Sequence, residues 1–375
     1  DYVIFDEASQ PLPGQALPSI FRAKKAVIIG DPHQMPPSLN LGFGMTSADD
    51  EEEDLGESIL DLVRKQPQEQ HHLKVHYRSR YNKLFEPSRH AIYAEEGIEP
   101  IYEAEPSKEA PIAIEDNLGD AQDFNGYDVN FAKICENAQK YLRDRRAHDE
   151  ASKNNDRNYK TIDDEFGAIF CILFARGEVL AQFRRYLSEE ETARKYKDIV
   201  DLYTQEKIIT STVTNCQGIE GLYTIIYLQY YTNPVAMWFF NEAAGAYKRL
   251  NVAITRQREG LKLLLANPKA SWIAACESKL NNPHTDPNAR LSAELMRSLL
   301  QNAGEDTDYL YLEHTLGDNV NHFDSPLTEQ LYHKLEEHYS SRIGKTLKIY
   351  SEVGWNLLFP TGEGINQNER NIGFR

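Results

Sequence analysis

Cysteine is scarce in this chain. Four occur in 375 residues, Cys135, Cys171, Cys216 and Cys276, far apart and with no CxxC pair. That spacing argues against a zinc ribbon or a disulfide framework and fits a reducing compartment. Long apolar runs are absent too. None approaches the roughly 18 residues that span a bilayer, so no membrane partner is expected. The opening residues Asp1 to Asp6 show no basic n-region and no signal-peptide core, and a cytoplasmic setting is expected. A basic excess is also missing: 41 Lys+Arg face 58 Asp+Glu, for a formal net charge of −17. Binding to a polyanion would have to rest on local patches, because the field of the whole chain repels it. Part of the acidity sits in one run, Asp49 to Asp54, which reads as a solvated loop. What remains is ordinary for a globular chain, with 41% hydrophobic and 26% charged residues. The length suggests two or three domains.

The chain reads as alternating strands and helices. Tyr2 to Phe5 is a short apolar strand that ends at Asp6-Glu7, and Ala26 to Ile29 is a second that ends at Gly30-Asp31. Open parallel sheets place their ligands at such carboxyl ends. A short helix is expected from Ser58 to Lys65, a strand at Leu73 to Val75 and a helix from Asn82 to Tyr93. Another strand is expected at Ile112 to Ile114. Ile134, Ala138, Tyr141 and Leu142 recur at helical spacing, which predicts a helix over 131–146 followed by a polar linker over 147–160. Strands near 168–174, 207–213, 223–229 and 261–265 then alternate with helices near 178–187 and 243–255. That alternation argues for a mostly parallel, doubly wound α/β sheet.

Chemistry-bearing residues gather at the strand ends. Adjacent carboxylates such as Asp6 and Glu7 suit a Mg²⁺–phosphate site, although acids in an exposed turn would look the same. In Gly30-Asp31-Pro32-His33-Gln34-Met35-Pro36-Pro37, the glycine allows a sharp turn and Asp31 and Gln34 offer polar groups. Arg78 in His76-Tyr77-Arg78-Ser79-Arg80 presents a planar donor fork suited to phosphate. His71, His72 and His76 lack a nearby carboxylate or cysteine to complete a metal site. Thr212 to Glu220 clusters hydroxyls, the Gln217 amide and the Glu220 carboxylate around Gly218, with Cys216 expected as a buried spectator. Arg249 to Arg258 reads as a helix on which Arg249 and Arg256, seven apart, share a face. A phosphate-cradling loop is not found. Gly344-Lys345-Thr346 has its ending, but Tyr339 stands where the pattern needs glycine.

Taken in order, these segments resemble superfamily 1 helicases. Asp6 to Gln10 resembles motif II, Gly30 to Ser38 motif III, and Val75 to Arg80 the arginine motif of the second RecA-like domain. Thr212 to Glu220 resembles motif V and Arg249 to Arg258 motif VI. The branch they most resemble is the Upf-like one, in its large bacterial form, in which an acidic loop also follows motif III. The resemblance covers roughly residues 1 to 268. It implies RecA-like P-loop NTPase folds, ATP and Mg²⁺ as cofactors, and single-stranded DNA or RNA as partner. It implies that Asp6 holds Mg²⁺, Glu7 activates water, Gln34 senses the γ-phosphate and Tyr77 stacks near the adenine. Arg78 would contact the γ-phosphate and Arg256 would act as arginine finger. Gln217, Gly218 and Glu220 would couple nucleotide to the nucleic-acid groove, with Gly30, Asp31 and Arg249 completing the nucleotide site.

Because the chain begins at motif II, it is expected to be the C-terminal part of such a helicase, inactive without the missing N-terminal RecA-like half supplied in cis or in trans. The expected organisation is a first-domain remnant over 1–45 and an acidic loop and linker over 46–72. A nearly complete second RecA-like domain follows over 73–268, then a linker or helical region over 269–321. His322 to Gln330, with Glu329 as a matching acid, resembles the opening helix of a restriction-endonuclease-like domain, left incomplete over 322–375. The alternative is a non-catalytic remnant that binds nucleic acid or a partner.

Overall fold

The computed structural model describes residues 2–37, 56–66, 71, 73, 75–76, 78–94, 98–100, 111–116, 131–155, 161–165, 167–228, 246–265 and 267–303. The acidic run 49–54, Tyr77 and the segment 322–375 lie outside these residues. Strand β1 (Tyr2–Phe5), helix α1 (Pro13–Ile20) and strand β2 (Lys25–Ile28) open the chain, followed by helix α2 (Ile59–Arg64). β1 and β2 pair in parallel, so Asp6-Glu7 and Gly30-Asp31 leave the same edge of this small sheet, as their sequence positions predict. Its core is modest: Ala8, Ala16, Ile59 and Leu60 are buried together. Ser58 starts α2 by accepting from the Asp61 amide while the Asp61 carboxylate receives the Ser58 amide, a reciprocal cap.

Next come β3 (Val75–His76), α3 (Asn82–Ala91), β4 (Glu99–Pro100), β5 (Ile112–Glu115) and α4 (Phe131–Asn155). A 3-10 turn at Ile162–Asp164 leads to β6 (Phe170–Phe174), α5 (Gly177–Leu187), α6 (Glu190–Lys195), α7 (Lys197–Thr204) and β7 (Ile208–Thr212). The chain continues through β8 (Gly221–Leu228), α8 (Ala246–Ala253), β9 (Gln257–Leu265), α9 (Lys269–Asn281) and α10 (Pro287–Asn302). β3 and β4 form a short parallel pair. The main sheet is parallel, in the order β5-β9-β8-β6-β7. Every residue of β6 and β8 is buried, as parallel strands covered on both faces require. One face packs against α4, α5 and α7 through Phe131, Tyr141, Phe183 and Ile199. The other packs against α8, α9 and α10 through Leu250, Trp272 and Leu299. Parallel sheets flanked by helices, one of five strands and two of two strands, are thus the architecture among the described residues.

Several elements depart from the sequence reading. The stretch 147–155, expected as linker, continues α4. Its register is set by charge rather than by apolar periodicity: Arg145 Nε donates to Asp149 Oδ1 at 2.8 Å, and Asp149 Oδ2 accepts the Ile162 amide at 2.6 Å. The expected helix over 243–255 ends at Ala253, and the chain turns into β9. Arg256 and Arg258 therefore lie outside that helix, and Arg256 shares no helical face with Arg249. Residues 269–303, expected as linker or helical region, are two helices in the core. Asp286 caps α10 by accepting the Asn288 and Ala289 amides, and Pro287 sits at its first turn.

Candidate functional site

The carboxyl edge of the small sheet faces loops from the large one. Gly30 is where the close approach begins. A β-carbon there would lie 3.1 Å from the Ala8 and Ser9 amide nitrogens, so the chain leaving β2 passes directly over the chain leaving β1. Asp6 and Glu7 are exposed at that edge. The Glu7 amide donates to Asp6 Oδ1 at 2.9 Å, and Glu7 takes a left-handed φ of 51°, a conformation uncommon for a residue with a side chain. Such strain persists where the surroundings hold it.

Turn bonds hold the backbone here, from the Gln10 amide to the Glu7 carbonyl and from the Ala8 amide to the Ile29 carbonyl, both at 2.9 Å, and Gln217 reaches the Glu7 side chain from the large sheet. Gln217 Nε2 donates to Glu7 Oε2 at 3.0 Å, while Gln217 Oε1 accepts the Met35 amide at 3.1 Å. One side chain from the 213–220 loop thus ties together both acidic loops of the small sheet. The next residue, Gly218, has φ 80°, which glycine adopts without strain. Glu220 is exposed and pairs with Arg78, Arg78 Nε to Glu220 Oε2 at 3.4 Å. Arg78 also reaches the Thr255 carbonyl at 3.5 Å.

Arg256 sits in the turn between α8 and β9 and is buried. Its Nε donates to the Val252 carbonyl at 2.7 Å, a terminal carbonyl of α8, where a cation is favoured. Its other nitrogens donate to the Ile219 carbonyl and to Thr255 Oγ1. These bonds use three of the five guanidinium N–H groups. Burial, and then the neighbouring Arg78 charge, push its pKa down, while Glu7 opposes the shift. Gln217 and Glu7 are therefore joined across the two sheets, and Arg78 pairs with Glu220 of the same loop, whereas the Arg256 guanidinium is buried against the Val252 and Ile219 carbonyls. Arg249 lies apart on α8, buried in the large unit.

The loop after β2 is bound mainly to the large unit. Both carboxylate oxygens of Asp31 are engaged by protein donors. Oδ1 accepts the His33 amide at 2.8 Å, and Oδ2 accepts the Tyr93 hydroxyl at 2.6 Å and Gln34 Nε2 at 3.3 Å. Met35 is buried in the same core as Leu84 and Leu250. Sequence reading missed Tyr93 and Asn251 here, since neither lies in a recognisable strand-end motif.

The arginine segment is anchored from behind. Arg80 pairs with Glu259 of β9, and its amide donates to the Arg258 carbonyl at 2.7 Å. Glu259 also receives the Tyr141 hydroxyl at 2.7 Å and the Arg145 guanidinium. Its pKa is lowered to about 2: burial opposes the shift, but Arg80 and Arg145 outweigh it. His76 stacks on Phe85 at 3.9 Å between centroids, and burial, aided by Arg78, lowers its pKa to about 3. It is neutral at working pH, and no cluster of metal-ligating side chains occurs among the described residues. Cys216 is buried, donates to the Val213 carbonyl and has its thiol pushed up to about 12, so it carries no nucleophile.

No helix among the described residues is long and apolar enough to cross a membrane. No protein-family model matches the chain. Over 299 residues, 75% of its length, the chain is 26% identical to a Mycoplasma genitalium protein named "Uncharacterized ATP-dependent helicase MG140". It spans 24% of that protein's length. Together with the parallel, helix-flanked sheets, this similarity supports a relationship to an ATP-dependent helicase.

Proposed function

We propose that the chain is the motif II to VI portion of a superfamily 1 helicase of the Upf-like branch, which couples ATP hydrolysis to movement on single-stranded DNA or RNA. The observation that carries this reading is the Gln217 bridge, with its 3.0 Å bond to Glu7 and its 3.1 Å bond from Met35. It joins the acidic edge of one parallel sheet to the loop of the other that carries Glu220, the partner of Arg78, with Arg256 buried beneath that loop on the Ile219 carbonyl. Catalysis of phosphoryl transfer is mostly positioning and charge stabilisation, and a cleft between the two sheets would provide both.

The roles follow from the chemistry of each group. Asp6, exposed at a strand end, is the kind of single carboxylate that holds Mg²⁺ alongside waters and phosphate oxygens. The metal, when bound, supplies charge neutralisation at the phosphates. Glu7 lies beside it to orient and deprotonate water, and Gln34 faces the γ-phosphate. Arg78 and Arg256 bring two guanidinium charges to the transferring group. Gly30 lets the loop pass close to the Asp6-Glu7 turn. Gln217, Gly218 and Glu220 link that site to the nucleic-acid groove. Tyr77, next to Arg78, would stack on the base. The phosphate-cradling loop that this chemistry needs is not among the 375 residues. We assign it to an N-terminal RecA-like half, supplied in cis or in trans. The chain by itself would then bind without hydrolysing ATP.

The test is single-strand-stimulated ATP hydrolysis by the chain alone and by the chain joined to that half, each beside its Glu7→Gln variant. We expect no turnover from the chain alone. The joined protein should turn over, and Glu7→Gln should reduce kcat by about 10²- to 10⁴-fold, as removing a general base does. Turnover by the chain alone that Glu7→Gln abolishes would refute the need for a second half. No turnover by either would favour a non-catalytic binding module.

A further inference from the structure

We propose that Tyr93 is a positioning residue for Gln34, relaying the placement of α3 and α8 onto the cleft through Asp31. This inference rests on the proposed role of Gln34 at the γ-phosphate. Tyr93 follows the last turn of α3, with its amide on the Ser88 carbonyl, and is buried. Its hydroxyl does two jobs. It donates to Asp31 Oδ2 at 2.6 Å and accepts from Asn251 Nδ2 at 2.9 Å. The oxygen it reaches is the one that receives Gln34 Nε2 at 3.3 Å. Tyr93, Asp31 and Gln34 thus form one line of hydrogen bonds running from the large unit to the side chain that would face the nucleotide.

Five further contacts make the line stiff. Asn251 Nδ2 also donates to the His33 carbonyl at 3.1 Å, so α8 holds the loop backbone as well as the tyrosine. His33 Nδ1 meets the Tyr247 hydroxyl at 3.1 Å, one turn earlier on the same helix. The Tyr93 ring lies edge-on to His33 at 5.3 Å and against Phe85 at 5.8 Å, and Phe85 stacks on His76, two residues before Arg78. The ring row therefore joins the arginine segment to the Gln34 loop. A shift of α3 or α8 relative to the small sheet would move Asp31, and the Gln34 amide would turn with it. Gln34 would then reach its working orientation only when the two units are in register, a means of making hydrolysis depend on their relative position.

Tyr93→Phe keeps the rings and removes only the hydroxyl, so it isolates the hydrogen-bond line. In the joined protein we expect kcat to fall about tenfold, with KM for ATP within about twofold, the size of one bond to a charged acceptor. In a Gln34→Ala background the same change should cost nothing more, because the relay then has no receiver. Multiplying losses, or a change in KM alone, would overturn the proposal. The second readout needs no turnover. The His33 amide bonds Asp31 Oδ1 and the Gln34 amide bonds the Asp31 carbonyl. In the chain alone, Tyr93→Phe should speed hydrogen exchange of these two amides about tenfold while leaving β7 unchanged. Unchanged exchange at both amides would overturn the relay whatever the hydrolysis shows. Absent hydrolysis in the unmodified joined protein would count against the helicase reading alone and leave the exchange result to decide the relay.

Discussion

Glu259 is the residue on which the arginine segment depends. It is fully buried and carries its charge among Arg80, Arg145 and Tyr141. Replacing it with Gln removes the carboxylate that pairs with the half-exposed Arg80 and leaves the buried Arg145 with Asp149 as its remaining partner. We expect Glu259→Gln to lower unfolding free energy by about 3–5 kcal/mol, the usual result of breaking one side of a buried ion pair. Chemical denaturation at neutral pH would measure it. The pH dependence has a definite sign. Its folded pKa of about 2 lies below the ordinary value of 4.5, so its contribution is complete above pH 4.5. It is lost as pH falls toward 2. The variant should therefore show a shallower acid limb than the parent over that window, and equal slopes would mean that folding does not lower the Glu259 pKa. None of this was legible in the sequence. Glu259 falls inside a strand, and its partners lie 179 and 114 positions away along the chain. Asp6 and Glu7 stand out as candidates in the sequence because they follow directly on an apolar run, and that boundary is a local signal.

At the scale of elements, strands were read more readily than the last turns of helices. β6 and β8 are nearly continuous apolar runs, and such runs announce a covered parallel strand, whereas β9 begins with Gln257-Arg258-Glu259 and only its second half, Leu261 to Leu265, was announced. The end of α8 was not announced. Arg256 and Thr255 look helical by composition, yet Arg256 Nε bonds the Val252 carbonyl and closes the helix behind it. α10 was underestimated for another reason. After Pro268 the strand-helix alternation stops, and a helix that only covers a face has no alternation to reveal it. Its inward side is nonetheless mostly apolar, with Leu295, Met296, Leu299 and Leu300 buried beside Trp272 and Ser292 the polar residue among them. We expect Leu299→Ala to destabilise the large unit by about 2–5 kcal/mol, the cost of an interior cavity. Thermal unfolding followed by the signal of Trp272 would report it. A change near zero would return 269–303 to the role of a linker.

At the scale of the whole molecule, the two sheets are unequally covered. The five-stranded sheet has helices on both faces, whereas the two-stranded one leaves Tyr2 and Ile4 68% and 65% exposed, with Val27 and Ile29 beside them. Parallel strands are normally covered on both faces, and bare strand edges offer unpaired amides to any other strand. Phe21, after α1, is also exposed. An exposed apolar surface of this kind favours association with another apolar surface over contact with water. The expected consequence is concentration-dependent self-association of the chain alone, visible in sedimentation velocity. If the proposed N-terminal half extends this sheet, joining it should suppress the association, because the same strands would then be paired within one molecule. The double change Ile4→Thr, Val27→Thr should also reduce it, since both side chains are exposed and little core is disturbed. If the chain alone stays monomeric across the concentration range, the small sheet needs no further strands. The phosphate loop would then have to reach the Asp6-Glu7 edge without extending that sheet.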